Sequence, residues 1–89
     1  ARRRGHVRVA GLVAASRRVA TRGGVTRFLT LEDETGLLEV VLPPAVEARH
    51  RDAIETPGPY LVDGRLVARQ DDPHLVARAL RPFHERHGS

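Results

Sequence analysis

At 89 residues the chain has room for one small domain. A domain of that size buries roughly 60–65% of its unfolded surface, which leaves a modest core and little depth for an active-site cleft. It holds no cysteine, which excludes disulfides, zinc–thiolate centres and thiol catalysis, and 15 basic against 11 acidic residues give a net charge of +4 that favours polyanionic partners.

Every basic residue is an arginine. A GC-rich genome produces that bias by codon usage alone, but the guanidinium also grips phosphate bidentately and stacks on bases. No apolar run approaches the roughly 18 residues of a membrane span, and no signal-peptide pattern opens the chain, so a cytoplasmic protein without membrane contact is expected. The absence of methionine points to a domain cut from a longer protein.

Hydrophobic residues recur with period two along most of the chain. The stretch His6–Val13 alternates through Val7 and Val9, then slips phase at Gly11. This predicts a β-bulge at Gly11 in a long, bent first strand over about 6–19. A loop, Ala20–Gly24, follows with Gly23-Gly24 as its turn. The second strand is predicted over Val25–Glu32 and the third over Leu37–Leu42. Between them Asp33-Glu34-Thr35-Gly36 makes a short hairpin connection, with Gly36 suited to positive φ and Asp33 to capping turn amides.

Pro43-Pro44 stops the third strand. The segment Pro44–Ile54 reads as a helix, with proline near its first turn and Val46, His50, Ala53 and Ile54 on one side. Thr56-Pro57-Gly58-Pro59 breaks it. Tyr60–Gln70 is the fourth predicted strand, with Gly64 as a further bend and Tyr60 as core filling. Asp71-Asp72-Pro73 turns the chain into a fifth strand over His74–Leu80. Residues 1–5, which include Arg2-Arg3-Arg4, read as a basic linker or arm, and 6–83 as the folded domain. Fraying is expected from Arg81 onward, with 84–89 a disordered tail.

Five short strands with one helix between the third and fourth is the layout of the OB-fold, an all-β, five-stranded Greek-key barrel. An SH3-like barrel would not need the helix. Against that layout the run VTRFLTLEDETGLLEVVL is similar to the strand 2–strand 3 hairpin of OB domains in the nucleic-acid-binding tRNA-anticodon superfamily. The strings FLTLEDETG, AVEARHR after Pro-Pro, GPYLVDGRLVAR and HLVARAL most resemble the OB domain of bacterial DNA polymerase III alpha subunits. The error-prone, DnaE-like branch is closest, over about residues 6–83. The chain departs from that family at Pro43, Val46 and His50, where the family often has aromatics, and in having Arg27 before Phe28.

The resemblance implies a non-catalytic accessory module that engages single-stranded DNA, beside the other domains of a parent polymerase. An RNA-reading, anticodon-type domain and a protein-docking domain are the alternatives. The hairpin phase places Leu29, Leu31, Leu38, Val40 and Leu42 on the core side and Phe28, Thr30, Glu32, Leu37, Glu39 and Val41 outside. Phe28 is then a stacking platform, while Thr30 and Glu39 offer hydrogen bonds to base edges. Arg17, Arg18 and Arg22 fall around the loop between strands 1 and 2. Arg65 and Arg69 lie on strand 4, with Gln70, His74 and Arg78 close to or on strand 5. Arg17, Arg18 and Arg22 thus fall at one rim of the hairpin face and Arg69, Gln70 and His74 near the other, with Arg27 a further nucleic-acid-binding candidate. With aromatics at 3% of the chain, serial base stacking is thin and binding is expected to be weak and largely sequence-independent.

No catalytic constellation is present. The His84, Glu85, His87 cluster lacks zinc-site spacing, and Asp71-Asp72 before proline is turn chemistry. Neither a cofactor nor a metal is expected.

Overall fold

The computed structural model describes residues 5–68 and 73–83. Val7, Val9 and Val13 alternate with polar or small residues, and this β-branched spacing sustains one long strand, β1, His6–Thr21. β2 (Gly24–Asp33) and β3 (Gly36–Leu42) follow as a hairpin. Helix α1 (Pro44–His50) and a 3₁₀ turn (Arg51–Ala53) lead to β4 (Tyr60–Val67) and β5 (His74–Pro82). The strands close into a barrel in the order β1-β2-β3-β5-β4. All pairs are antiparallel except β3–β5. This five-stranded barrel with a helix between β3 and β4 is the OB-fold expected from the sequence.

β1 serves both halves of the barrel by exchanging partners. His6–Gly11 pairs with β4, and Leu12–Thr21 pairs with β2. The bulge lies between Val13 and Ala15, not at Gly11 as the phase slip suggested. Gly11 instead sits where the two pairings meet. A Cβ there would come within 2.9 Å of the Glu32 carbonyl oxygen, so the crossing strands need a residue without a side chain. Gly64 does mark a register shift, between Asp63 and Gly64.

Three further boundaries differ from expectation. The loop over 20–24 is in fact the two-residue turn Arg22-Gly23, because Val19, Ala20 and Thr21 keep pairing with β2. The α-helix ends at His50 and continues only as a 3₁₀ turn, and neither has a side-chain hydrogen bond at its N-cap. Arg81 and Pro82 belong to β5, and the Phe83 N–H donates to the Pro59 carbonyl at 2.9 Å, so these residues seal the barrel instead of fraying.

The core comprises Leu29, Leu31, Val40, Leu42, Val46, Tyr60, Val62, Leu75, Ala77 and Leu80. Each fully buried leucine contributes about 1.5–3 kcal/mol relative to exposure. Tyr60 is buried in this core as expected. Its hydroxyl donates toward the carbonyl oxygens of Ala53 (2.7 Å) and Thr56 (2.8 Å), tying the segment after the helix to β4.

Candidate nucleic-acid interface

The pairing register arranges the outer face of the barrel in rows. Arg17 on β1 pairs with Phe28 on β2, Phe28 with Val41 on β3, Val41 with Val76 on β5, and Val76 with Arg65 on β4. The next row runs Ala15, Thr30, Glu39, His74, Val67. Leu29, Leu31, Val40 and Leu42, of the opposite phase, are all buried, which fixes these rows as outward-facing. One row thus carries an aromatic ring between arginines. The other carries Thr30, Glu39 and His74, which donate and accept hydrogen bonds.

Phe28 is not a bare platform. The Arg17 guanidinium carbon lies 4.8 Å from the centroid of its ring, a cation–π contact. The contact leaves Phe28 half-buried on an open sheet. The guanidinium–phenyl pair presents a planar surface with N–H donors along the guanidinium edge.

Directly beneath, the other phase of β1 and β2 is committed elsewhere. Arg27 shares the inward phase of Leu29 and Leu31 and is 9% exposed. Its guanidinium donates to Glu47 Oε2 of α1 at 3.0 Å and to Ser16 Oγ at 2.9 Å. Glu47 is fully buried and also accepts from Arg51, one turn along, at 2.8 Å, with Arg18 at 3.8 Å. Hydrogen bonds from Arg51, and then Arg27, outweigh the opposing effect of burial and hold the Glu47 carboxyl below the ordinary glutamate range. Burial and the neighbouring Arg49 push the half-buried His50 down, favouring its neutral form. Arg27 is therefore removed from the base-facing surface, because its strand phase points it at the helix. Arg18 is likewise drawn to the Glu47 side.

At the far end of the hairpin Asp33 Oδ1 accepts from the backbone N–H of Thr35 (2.7 Å), from that of Gly36 (3.2 Å) and from the Thr35 hydroxyl (2.7 Å). These bonds, the Thr35 hydroxyl first, lower the Asp33 pKa. Asp33 is the turn cap expected of it, and Gly36 has φ 141°.

The family model for the OB-fold nucleic acid binding domain of the tRNA anti-codon type matches residues 7–83. The chain belongs to this family. A curated relative named error-prone DNA polymerase, from Saccharophagus degradans, is 42% identical over 73 residues; these are 82% of this chain and 7% of that protein. A protein of the same name from Mycolicibacterium paratuberculosis is 47% identical over 74 residues, again 7% of its length. Among solved structures, the small single-stranded DNA-binding protein from Streptomyces coelicolor superposes with TM-score 0.74 at 16% identity, covering 97% of this chain and 100% of that one. At that identity the likeness shows the shared fold.

In this OB domain Arg22 occupies the β1–β2 turn, beside Gly24, which packs near Pro44. Arg65 and His74 stand in the outward rows on β4 and β5. Arg69 and Gln70 lie outside the described residues, as do Arg2–Arg4 and the His84–His87 cluster. Among the described residues no helix is long and apolar enough to cross a membrane. The sequence reading missed the Glu47 cluster. An arginine in core phase at position 27 was the available signal, since a buried guanidinium demands a carboxylate.

Proposed function

We propose that this OB domain binds single-stranded DNA across the outer face of β1, β2, β3 and β5, as a non-catalytic module of a DNA polymerase III alpha-like, error-prone polymerase. One observation carries the reading: the row Arg17–Phe28–Val41–Val76–Arg65, stacking surface between two cations, beside the row Thr30–Glu39–His74. Bases meet Phe28 and the hydrogen-bonding row, while phosphates run along Arg17, Arg22 and Arg65. Glu32 and Glu39 are compatible with this because bases, not phosphates, lie over the hairpin. The names of the curated relatives support the polymerase context, and the single-stranded DNA-binding neighbour supports the ligand class.

One stacking ring and about 3–5 phosphate contacts make binding weak, with a log–log salt slope of about −2 to −3.5. Titration with fluorescent oligo-dT at two salt concentrations tests this. No binding at low salt, or binding indifferent to salt, removes the proposal. Equal or tighter binding of oligo-U would instead assign the face to RNA, whose 2′-hydroxyl a DNA reader does not need.

A second reading, docking against neighbouring polymerase domains, draws on the row Leu12–Glu32–Leu37 near the hairpin tip. Its leucines are 47% and 67% exposed. Chemical-shift changes confined to these residues on adding the rest of the parent polymerase, with none on adding oligo-dT, would favour docking.

A further inference from the structure

Around the barrel from Phe28, the N-terminal half of β1 pairs with β4, and β4 with β5. The outward row therefore continues past Arg65 to its β1 partner His6. An open groove lined by Gly5, His6, Arg65 and Arg78 lies here, adjoining a second that includes Arg8 and Asp63. Arg78 is exposed and donates to the His6 imidazole Nε2, an atom that accepts only when the ring is neutral there. A guanidinium whose hydrogen-bonding partner is an imidazole lacks the charge neutralisation that a carboxylate supplies.

Among the described residues, the one acidic side chain lining these grooves is already engaged. Asp63 Oδ1 accepts from Arg8 Nε at 2.6 Å, and that bond holds the Asp63 carboxyl below its ordinary range. Its charge is offset by Arg8, which leaves Arg65 and Arg78 as the uncompensated cations of the groove among the described residues. Three interstrand steps separate Phe28 from Arg65 and a fourth reaches His6. At ~4.8 Å each these amount to roughly 14 and 19 Å around the barrel wall. The intervening residues of this row, Val41 and Val76, are apolar.

We propose that His6, Arg65 and Arg78 form a phosphodiester-binding site, which extends the path of a single strand from the hairpin face around the barrel onto β4, β5 and the start of β1. A non-bridging phosphate oxygen accepts from Arg78 in place of the imidazole, and Arg65 completes a two-guanidinium cradle. The site rests on the reading of the domain as a single-strand binder. It adds His6 and Arg78 to the residues of that reading, and it makes affinity depend on oligonucleotide length.

The test is fluorescence anisotropy of the 89-residue chain with oligo-dT of about 4 and about 12 nucleotides, within the ~4–16-nucleotide range of OB domains. The wild type should gain affinity and salt slope on the longer probe. Arg78→Gln and His6→Ala should bind the short probe as the wild type does. On the long probe Arg78→Gln should lose affinity several-fold and about 0.7 of the log–log slope, the value of one phosphate on a single strand. His6→Ala, which removes the imidazole that the phosphate displaces, should bind it at least as tightly as the wild type. Thermal melting confirms that each variant is folded, and Arg78→Ala replaces Arg78→Gln if that variant is not. Identical long-probe slopes for the wild type and Arg78→Gln overturn the extended site while leaving hairpin binding intact. Equal loss on both probes also overturns it, since the variants then act on the hairpin face itself. Failure of the wild type to bind either probe overturns both proposals.

Discussion

Arg17 and Arg18 are neighbours in sequence, and the fold sends them to opposite duties. Arg17 lies over Phe28 on the open outer face. Arg18 points to the other side, 3.8 Å from a buried carboxylate that also holds Arg27 and Arg51. One arginine set is paired with a buried carboxylate, and the other has a ring and solvent. For the strand arginines, Arg17 against Arg18 and Arg27, strand alternation decides which is which. Basic composition therefore overstates the surface free to meet an anion, and inward-phase arginines must be subtracted first.

Four measurements bear on that contrast. The largest effect is expected for Glu47→Leu, which leaves Arg27 buried without its carboxylate. Urea unfolding should show a loss of about 3 kcal/mol, the low end for breaking a buried pair, because Arg18 and Arg51 still reach water. A loss below about 0.5 kcal/mol would mean that the inner arginines are as free as the outer ones.

Next comes Phe28→Ala. Folded protein should be retained, with oligo-dT affinity down by about 1–3 kcal/mol, or roughly 5–150-fold. Arg27→Ala should do the reverse, lowering the urea midpoint while leaving the affinity of the folded fraction near wild type. If Arg27→Ala weakens binding as much as Phe28→Ala without loss of stability, the two faces have been assigned the wrong way round.

The third measurement is pH dependence. The folded state lowers the Glu47 pKa, so it favours the ionised carboxylate. The stability this supplies is fully present above the unfolded glutamate value, near pH 4.3, and is lost as pH falls through the lower folded value. Asp33 and Asp63 act in the same direction. Urea midpoints should fall between about pH 5 and pH 3, and Glu47→Gln should flatten part of that slope. A wild-type curve level across this range contradicts the assignment.

The smallest effect is expected for Tyr60→Phe, a control whose hydroxyl bonds to neither arginine set. Losing the hydroxyl that bonds Ala53 and Thr56 should cost about 1 kcal/mol in unfolding experiments and leave oligonucleotide affinity unchanged.

Much of this molecule was legible in the residues themselves. Period-two alternation through Leu29, Leu31, Val40 and Leu42 identified the buried side of the hairpin, and hence Phe28, Thr30 and Glu39 as outward. Asp33 and Gly36 carried their turn in their own chemistry, because a short carboxylate and a residue free to take positive φ act within four residues of one another. Such local features depend on nearest neighbours alone. The position of the bulge, the tight turn at Arg22-Gly23 and the strand exchange at Gly11 depend on which distant strand supplies the hydrogen bonds, so composition and period could not locate them.

The same distinction separates the two arginine sets. The sequence by itself determined a basic, cysteine-free β-barrel of the OB kind with an amphipathic hairpin. Only the tertiary structure decided that Glu47, 20 residues from Arg27, closes over it, and that His6 and Arg78, 72 apart, meet across the far wall of the barrel. Alternation is written into adjacent residues, whereas the partner of a charge is chosen by chain closure. In a chain whose every cation is an arginine, residue type alone cannot mark the ones already taken.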